Sequence, residues 1–332
     1  MVKIFKILAA ALLAFFLLAT GGISVSFYFH NKGVAQANEE YREYQPPQIR
    51  NFGSTNRLSI LPLVNWHTSN PDLKTEMGVS YLVKTDSATI LFDLGQNADG
   101  ESPSPLEYNM GRLEISLDEI DIIFISHNHF DHVGGQKWVD EGSFSLGNEQ
   151  KDLSGKNVFT PVPMTYPAIS PTHTPDPTVI TEGVASIGTI PRKLYFGRID
   201  EQALAVNLEG KGLVVIVGCG HQKLSRILER TEAVFEEPIY GIIGDLHYPV
   251  PEGRINVLGL NMQRLVASGE GPLNPIEYED VLNNIERLQS RDIGITGVGG
   301  HDSSDEVIEE FKDAFGPKYR YVEVGKWIKA GN

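Results

Sequence analysis

The sequence predicts an α/β (α+β) domain preceded by an N-terminal transmembrane helix. Residues 7–29 form one apolar stretch that is long enough to cross a bilayer. Downstream, four short apolar runs rich in β-branched residues have the composition of buried strands, and His or Asp follows each of them. A helical pattern with Leu224, Ile227 and Leu228 on one face follows one of these runs. Strands and helices over roughly 270 residues are typical of one two-sheet α/β sandwich.

The N-terminal segment is predicted to be a membrane anchor. Lys3 and Lys6 precede the stretch from Ile7 to Phe29, which places the N-terminus in the cytoplasm and the rest of the chain outside it. A cleaved signal peptide is the alternative, because Ala35-Gln36-Ala37 fits a small-residue cleavage pattern. The body would then be secreted or periplasmic. The long distance from the densest apolar part, residues 7–19, to that site favours the anchor.

The rest of the chain is predicted to be a linker and one main domain. Residues 1–30 are the anchor or signal segment, residues 31–56 a linker containing Pro46-Pro47, and residues 57–330 the main domain. Within that domain we expect a hairpin over 79–83 and 89–94, long loops over 140–189, and a helix that begins with a Ser303–Glu306 capping box and runs through Phe315.

The most informative motif is Ser126-His127-Asn128-His129-Phe130-Asp131-His132. It directly follows the apolar run 122–125, so a strand delivers three imidazoles and a carboxylate to its C-terminal end. Neutral imidazole suits zinc, iron and nickel, and a carboxylate can hold or bridge a second cation. The spacing therefore predicts a turn that serves two adjacent metals.

Three later strands end in the same way. The runs 212–217, 239–243 and 293–298 lead into Gly218-Cys219-Gly220-His221, Gly244-Asp245-Leu246-His247 and Gly299-Gly300-His301. Of nine histidines, only His30, His67 and His173 lie elsewhere. We interpret Cys219 as a small buried residue rather than a nucleophile, because a thiolate needs electropositive surroundings.

The charge of the chain argues against one class of partner. The formal net charge is −15, and the body contains no run of Lys or Arg. A nucleic-acid backbone would be repelled by this field, so we expect a small-molecule substrate and no nucleic acid. The single cysteine excludes an intramolecular disulfide. The oligomeric state does not follow from the sequence.

These motifs resemble those of the metallo-β-lactamase superfamily, in which His-X-His-X-Asp-His and later single histidines follow strands. The match covers roughly Leu58 to Ile328. It implies a four-layer αββα sandwich and makes residues 57–330 a metallo-β-lactamase-like catalytic domain. The chain looks most similar to the branch of the dihydropterin ribofuranosylaminobenzene-phosphate synthases. That similarity rests on segments 78–80, 90–95, 190–192, 200–204 and 212–221.

The chain also departs from that branch. The branch carries Gly-Gly-Phe-His where this chain has Gly244-Asp245-Leu246-His247, and His-Cys-Thr-Gly where it has His301-Asp302-Ser303-Ser304. The resemblance therefore does not carry the substrate over.

The resemblance implies roles for individual residues. It assigns His127, His129 and His221 to one metal and Asp131, His132 and His301 to the other, with Asp245 as a bridge between them. We expect zinc, with iron or manganese as alternatives. His247 would be a catalytic pocket residue, and Asp131 could orient the nucleophile. Further candidates are Asp93, as hydrogen-bond partner of a ligand histidine, and Arg192 and His67, as substrate-binding residues.

The predicted function is that of a metal-dependent hydrolase. Two metals would activate a hydroxide for attack on a small anionic or phosphorylated substrate. One alternative is a transferase of the pterin-synthase type, which a requirement for a second organic substrate would reveal. Iron-based redox chemistry is another. From a different class comes a non-catalytic sensor displayed at the membrane, which would bind metal or ligand without turnover.

Overall fold

The computed structural model describes residues 2–331, and the side chains of residues 2, 3, 7 and 9–11 lie outside that description. Seventeen strands form two large sheets and two hairpins. In chain order they are β1 Arg57–Val64, β2 Ser80–Lys84, β3 Thr89–Phe92, β4 Ile122–Phe124, β5 Asn157–Thr160, β6 Thr172–His173, β7 Thr178–Thr181, β8 Val184–Ser186, β9 Ile190–Leu194, β10 Gly197–Glu201, β11 Leu204–Leu208, β12 Gly212–Val217, β13 Ile239–Gly244, β14 Asn256–Val257, β15 Leu260–Asn261, β16 Ile295–Val298 and β17 Ile328–Gly331.

Seven α-helices accompany the strands. They are α1 Val2–Glu43, α2 Pro105–Arg112, α3 Gln136–Asp140, α4 Leu224–Val234, α5 Met262–Ala267, α6 Tyr278–Gln289 and α7 Asp305–Phe315, and 3-10 turns occur at Leu117–Glu119 and Gly316–Lys318.

The two large sheets pack face to face. One has the order β17-β1-β2-β3-β4-β5-β6 and the other β16-β13-β12-β11-β8-β7. Side chains from both sheets form the central core, among them Tyr81, Phe92 and Phe124 from the first sheet and Val214 and Ile216 from the second. Burial of these apolar faces is the main stabilising term.

Helices cover the outer faces of both sheets. Apolar residues of α4, α6 and α7 pack on the six-stranded sheet. Leu106 and Met110 of α2 and Trp138 of α3 pack on the seven-stranded sheet. The predicted αββα sandwich is therefore confirmed.

Parallel pairing brings the predicted ligand loops to one edge. In the first sheet β3 pairs with β4 in parallel, and in the second β12 pairs with β13, and β13 with β16, in parallel. The carboxyl ends of parallel neighbours lie at the same edge of a sheet. The loops after β4, β12, β13 and β16 therefore start from a common edge.

Three predicted segments need correction. Residues 140–189 are not only loops, since β5 to β8 lie there and extend both sheets. The last helix is capped by Ser304, whose side chain accepts from the Val307 N–H, and not by Ser303. Residues 31–43 of the predicted linker are helical, because α1 continues through Glu43.

The second half of α1 packs on the main domain. His30 and Ala37 are buried, the Tyr41 ring lies under Arg226, and Arg198 forms an ion pair with Glu40. The described side chains of residues 4–29 are mostly exposed, and α1 is long and apolar enough to cross a membrane. Lys3, one of the two lysines predicted to flank the anchor, is among the residues whose side chains the structure does not describe. One half of α1 packs on the main domain and the other half has an apolar surface suited to a membrane. Both halves can therefore belong to one continuous helix.

We predict that Ala37→Leu loosens the second half of α1, while Ala35→Leu does not. Ala37 is 3% exposed, so extra methylenes there have no space, whereas Ala35 is exposed on the same helix. Overpacking of this kind costs about 1–3 kcal/mol. Hydrogen exchange of residues 30–43 in the full chain measures the difference. Equal protection in the two variants would show that Ala37 is not held against the domain.

Candidate metal centre

Six histidine rings form a continuous cluster where the four ligand loops meet. The ring centroids of His127 and His132 are 4.0 Å apart, and those of His127 and His129 are 4.7 Å apart. His221 lies 5.1 Å from His129 and 4.4 Å from His247, and His301 lies 5.3 Å from His132. The loops after β4, β12, β13 and β16 therefore place their imidazoles in one cavity.

The potential ligand atoms include the two predicted groups, and two further groups overlap them: Cys219, His221, His247 and Asp302, and His127, His132 and Cys219. Those of His127, His129 and His221 lie within 4.8 Å of one another, and so do those of Asp131, His132 and His301. Asp131 Oδ2 is 3.4 Å from His301 Nε2, and Asp131 Oδ1 is 3.9 Å from His132 Nε2. Each group could hold one cation.

Several buried polar atoms of this cluster have no hydrogen-bond partner among the described residues. They are His127 Nε2, His132 Nε2, His221 Nδ1, His247 Nε2 and Asp131 Oδ1. Leaving a buried polar atom unpaired costs about 1–3 kcal/mol each. A divalent cation would satisfy these atoms, so the residues present fit a metal centre.

The protonation of two of the rings is consistent with metal binding, whereas carboxylates outweigh burial and raise the pKa values of His132 and His301. Burial and the neighbouring imidazole of His132 lower the pKa of His127 well below its ordinary value. Burial, together with His247, does the same to the pKa of His221. Both rings are therefore neutral near pH 7, and neutral imidazole is the form that binds metals.

Asp93 holds the first ligand loop. Its Oδ2 accepts from His132 Nδ1 at 2.7 Å and from Ser126 Oγ at 2.6 Å, and its Oδ1 accepts from the Ser126 N–H at 2.7 Å. The ring nitrogen of His132 that faces the cluster is thereby fixed as Nε2. This is the arrangement in which a carboxylate orients a ligand histidine and raises its basicity.

Two adjacent residues without a predicted role also brace ligand loops, Glu201 the loop after β12 and Gln202 the loop after β4. Glu201 Oε1 accepts from the Cys219 and Gly220 N–H groups at 3.0 and 2.8 Å, just before His221. Gln202 donates through Nε2 to the Ile125 carbonyl at 2.9 Å, and its own N–H donates to the Ser126 carbonyl. Burial raises the pKa of Glu201 to about 7, although these N–H groups favour the ionised form. Their location in segment 200–204 was the only sequence signal.

Asp245 does not reach the ligand groups, which corrects its prediction as the bridge. Its Oδ2 accepts from Asn65 Nδ2 at 2.9 Å and from the Tyr81 hydroxyl, and its Oδ1 accepts from the His301 N–H at 3.0 Å. These donors occupy the carboxylate and turn it away from the rings. Asp245 therefore positions the backbone of His301.

Asp302 lies where we had expected Asp245. Its Oδ2 is 3.0 Å from His247 Nδ1 and 3.2 Å from His301 Nε2, and it also contacts Cys219 Sγ. Burial opposes ionisation, but His301 and His247 outweigh it and hold the pKa of Asp302 well below its usual range. Asp302 is thus a buried anion between the histidines. From the sequence, it was recognised only as a departure from the branch.

Cys219 and His247 complete the wall of the cluster. Cys219 Sγ is 3.1 Å from His221 Nε2. Burial and the charge of Asp302 raise the pKa of the Cys219 thiol well above its ordinary value, which disfavours a thiolate nucleophile. His247 has the left-handed backbone conformation, with φ of 54°. Such conformations are rare away from glycine and cluster at functional sites.

Arg192 and His67 differ from their predicted role in substrate binding. The Arg192 guanidinium is buried and donates to the His221 carbonyl at 3.1 Å and to Glu270 at 3.1 Å. It therefore fixes the His221 loop, although it also lines a cavity beside that loop. His67 is half-exposed and pairs with Asp305 at 2.9 Å on the surface, because its loop runs outside the cluster.

Comparisons with known proteins show what this chain is similar to. A family model described as "Metallo-beta-lactamase superfamily" matches residues 73–144. The 7,8-dihydropterin-6-methyl-4-(beta-D-ribofuranosyl)-aminobenzene-5'-phosphate synthase of Methanocaldococcus jannaschii is 23% identical over 327 residues, which is 85% of this chain and 99% of that protein.

Two solved structures share the fold. Tm1679, described as a metal-dependent hydrolase of the beta-lactamase superfamily, has a TM-score of 0.54 and 19% identity, covering 83% of this chain and 100% of that one. The metallo-beta-lactamase fold protein YhfI from Bacillus subtilis has a TM-score of 0.52 and 12% identity over the same shares. At these identities, the similarity shows the fold alone.

We predict that Asp302→Asn lowers bound metal and that Asp245→Asn does not. Asp302 lies among the imidazoles, whereas Asp245 accepts hydrogen bonds from Asn65, Tyr81 and the backbone N–H of His301. An amide at Asp245 would oppose those donors and cost about 1–3 kcal/mol of stability. Metal analysis by plasma mass spectrometry and thermal unfolding separate the two effects. Metal loss in Asp245→Asn, with full metal in Asp302→Asn, would restore Asp245 as the bridge.

Proposed function

We propose that the chain, which has the metallo-β-lactamase fold and matches that family's model over residues 73–144, is a metal-dependent hydrolase working with two divalent cations on a small anionic or phosphorylated substrate. The observation that carries the proposal is the presence of two ligand groups, each within 4.8 Å, in which several buried nitrogens have no hydrogen-bond partner among the described residues. The donor set of imidazole and carboxylate suits zinc first, with iron or manganese as alternatives.

The chemistry divides between the cations and the chain. Bound cations would supply Lewis acidity and would lower the pKa of a coordinated water to about 7. His127, His129 and His221 would hold one cation, and Asp131, His132 and His301 the other. Asp302 would offset the repulsion between them, since it is the buried anion among these rings.

His247 is the proposed proton carrier for the leaving group. Its Nδ1 lies 3.0 Å from Asp302 Oδ2, which orients the ring. Its Nε2 is buried without a partner, and the residue lines the two cavities that adjoin the cluster. A ring held by a carboxylate, with one free nitrogen facing the substrate space, is the arrangement of a general acid or base.

A synthase activity is the second candidate, because a curated relative carries that name and aligns over 99% of its length. In that case the same site would bind a phosphorylated substrate and require a second organic substrate. Product analysis distinguishes the two. A hydrolase needs only water, whereas a synthase shows no turnover until the co-substrate is added.

We predict that His132→Ala abolishes hydrolysis while His67→Ala leaves it unchanged. His132 belongs to a ligand group, and His67 is a surface residue paired with Asp305. The loss should exceed roughly a hundredfold, since even partners of metal ligands are worth 10–100-fold. The assay is turnover of phosphodiester, lactone and thioester substrates by the full chain.

Chelation provides the control for that experiment. Removing metal from the unmodified chain should abolish activity and lower the unfolding temperature, because metal binding contributes to folding free energy. Adding the metal back should restore both. Full activity of exhaustively metal-free protein would sink the proposal.

We also propose that α1 is an uncleaved anchor with the main domain outside the cytoplasm. Cleavage at Ala35-Gln36-Ala37 would remove His30 and the rest of the helix before it from their contacts with the domain, and Ala37 itself is buried. The full chain should therefore sediment with membranes and keep its N-terminus in Edman or mass analysis. Recovery of a soluble chain beginning near residue 38 would instead identify a signal peptide.

A further inference from the structure

An apolar pocket opens on the candidate metal centre. Its volume is about 460 Å³, and Met77, Phe130, Leu194, Phe196, Val257 and Val266 contribute apolar walls. His129, Asp131, His247 and Asp302 form its inner end. Ligand sites of a few hundred Å³ are mostly apolar with a few polar groups that fix orientation. A substrate whose apolar chain occupies this pocket would thus place the polar group that adjoins the chain at the metals.

Exposed apolar side chains surround the mouth of this pocket. Phe196, between β9 and β10, is 79% exposed, and Leu258, between β14 and β15, is 98% exposed. Val257 and Leu260 beside Leu258 are also exposed. Both connections are short hairpins that project apolar residues at their tips. A cluster of exposed apolar residues next to a pocket marks an interaction surface rather than ordinary surface composition.

This mouth lies beside the point where α1 meets the domain. Tyr195, next to Phe196, hydrogen-bonds through its hydroxyl to Ser26 Oγ at 2.9 Å, and its ring centroid is 5.9 Å from that of Phe27. Tyr28 and Phe29 are exposed on the same turn of the helix. Aromatic residues at the end of an apolar span mark the level of the membrane–water interface. The β9–β10 tip therefore lies near the end of the apolar half of α1, and the β14–β15 hairpin lines the same pocket through Val257.

We propose that the substrate is a membrane amphiphile that enters the site from the bilayer, with its apolar chain in this pocket. The inference rests on the proposed hydrolase function and on the anchor, and it adds the substrate class. The tips at Phe196 and Leu258 dip into the lipid, and the pocket behind them connects the bilayer to the metals. The anchor thus holds the mouth against the membrane.

A second cavity accommodates the polar end of such a molecule. It has a volume of about 780 Å³, shares His221 and His247 with the apolar pocket, and is lined by side chains of both charges, among them Lys223, Arg287, Glu270 and Asp280. The metal cluster therefore lies between an apolar and a polar compartment. An amphiphile with a polar or anionic head and one apolar chain fits this division.

The first test measures lipid contact without turnover. The full chain is placed in phosphatidylcholine vesicles with brominated acyl chains, which quench tryptophan within the bilayer. Leu258→Trp should be quenched, whereas Val179→Trp, at an exposed apolar position on the opposite edge strand β7, should not. The unmodified chain gives the background of its three tryptophans. Equal quenching of the two variants overturns the proposal. A doubling of the protein's particle mass without quenching also overturns it, because the tips would then form a contact between two copies.

The second test measures chain selectivity as binding. Dodecyl phosphate and ethyl phosphate are titrated calorimetrically into metal-loaded full chain in nanodiscs of one lipid, with empty nanodiscs as the partition control. Dodecyl phosphate should bind at least roughly tenfold tighter, because its chain leaves water in the pocket. Val266→Trp, which fills the pocket, should remove that difference and leave ethyl phosphate binding unchanged. The same difference in Val266→Trp and in the unmodified chain overturns the proposal.

The two tests stay separate from the hydrolase proposal. Failure of that proposal shows as absent turnover with metal bound, whereas failure of this one shows as unquenched Leu258→Trp or absent chain selectivity in protein that still hydrolyses.

Discussion

The parallel pairing of β3 with β4, of β12 with β13, and of β13 with β16 is the constraint on which the site depends. It places four loop starts at one edge of the sandwich, where the sheets diverge and side chains can meet. Packing of the two sheets on one core fixes the distance between the loops, since close-packed interiors deform little. The centroids of neighbouring imidazole rings in this cluster are therefore 4.0 to 5.3 Å apart.

Buried polar groups make this arrangement specific. Asp93 fixes the loop after β4, Glu201 the loop after β12, and Asp245 the start of the loop after β16. Each carboxylate is buried and accepts hydrogen bonds from backbone N–H groups or side chains, which offset part of the free energy lost by desolvation. Gly218 lies where these loops approach most closely, and a side chain there would meet Ser126 and Asp93. These supports therefore hold the ligand loops in place.

The sequence predicted the strands well because their signal is local. The runs at 122–125 and 212–217 are continuous apolar segments, and the structure places β4 and β12 there. The histidines were found because they follow such runs directly. The sequence did not show that Asp302 rather than Asp245 lies among the rings, because both residues are in ligand loops. Only the positions of Tyr81, Asn65 and the His301 N–H decide which carboxylate faces the rings. Strands β5 to β8 and the helical residues 31–43 depend on packing partners distant in sequence, which local patterns do not show.

The central claim is that two cations lie between these histidines. Anomalous diffraction from crystals of the full chain, recorded on both sides of the zinc, iron and manganese absorption edges, tests it most directly. The account predicts two peaks, one among His127, His129 and His221 and one among Asp131, His132 and His301. A single peak elsewhere in the cluster, such as among Cys219, His247 and Asp302, or no peak at any edge in active protein, would contradict it.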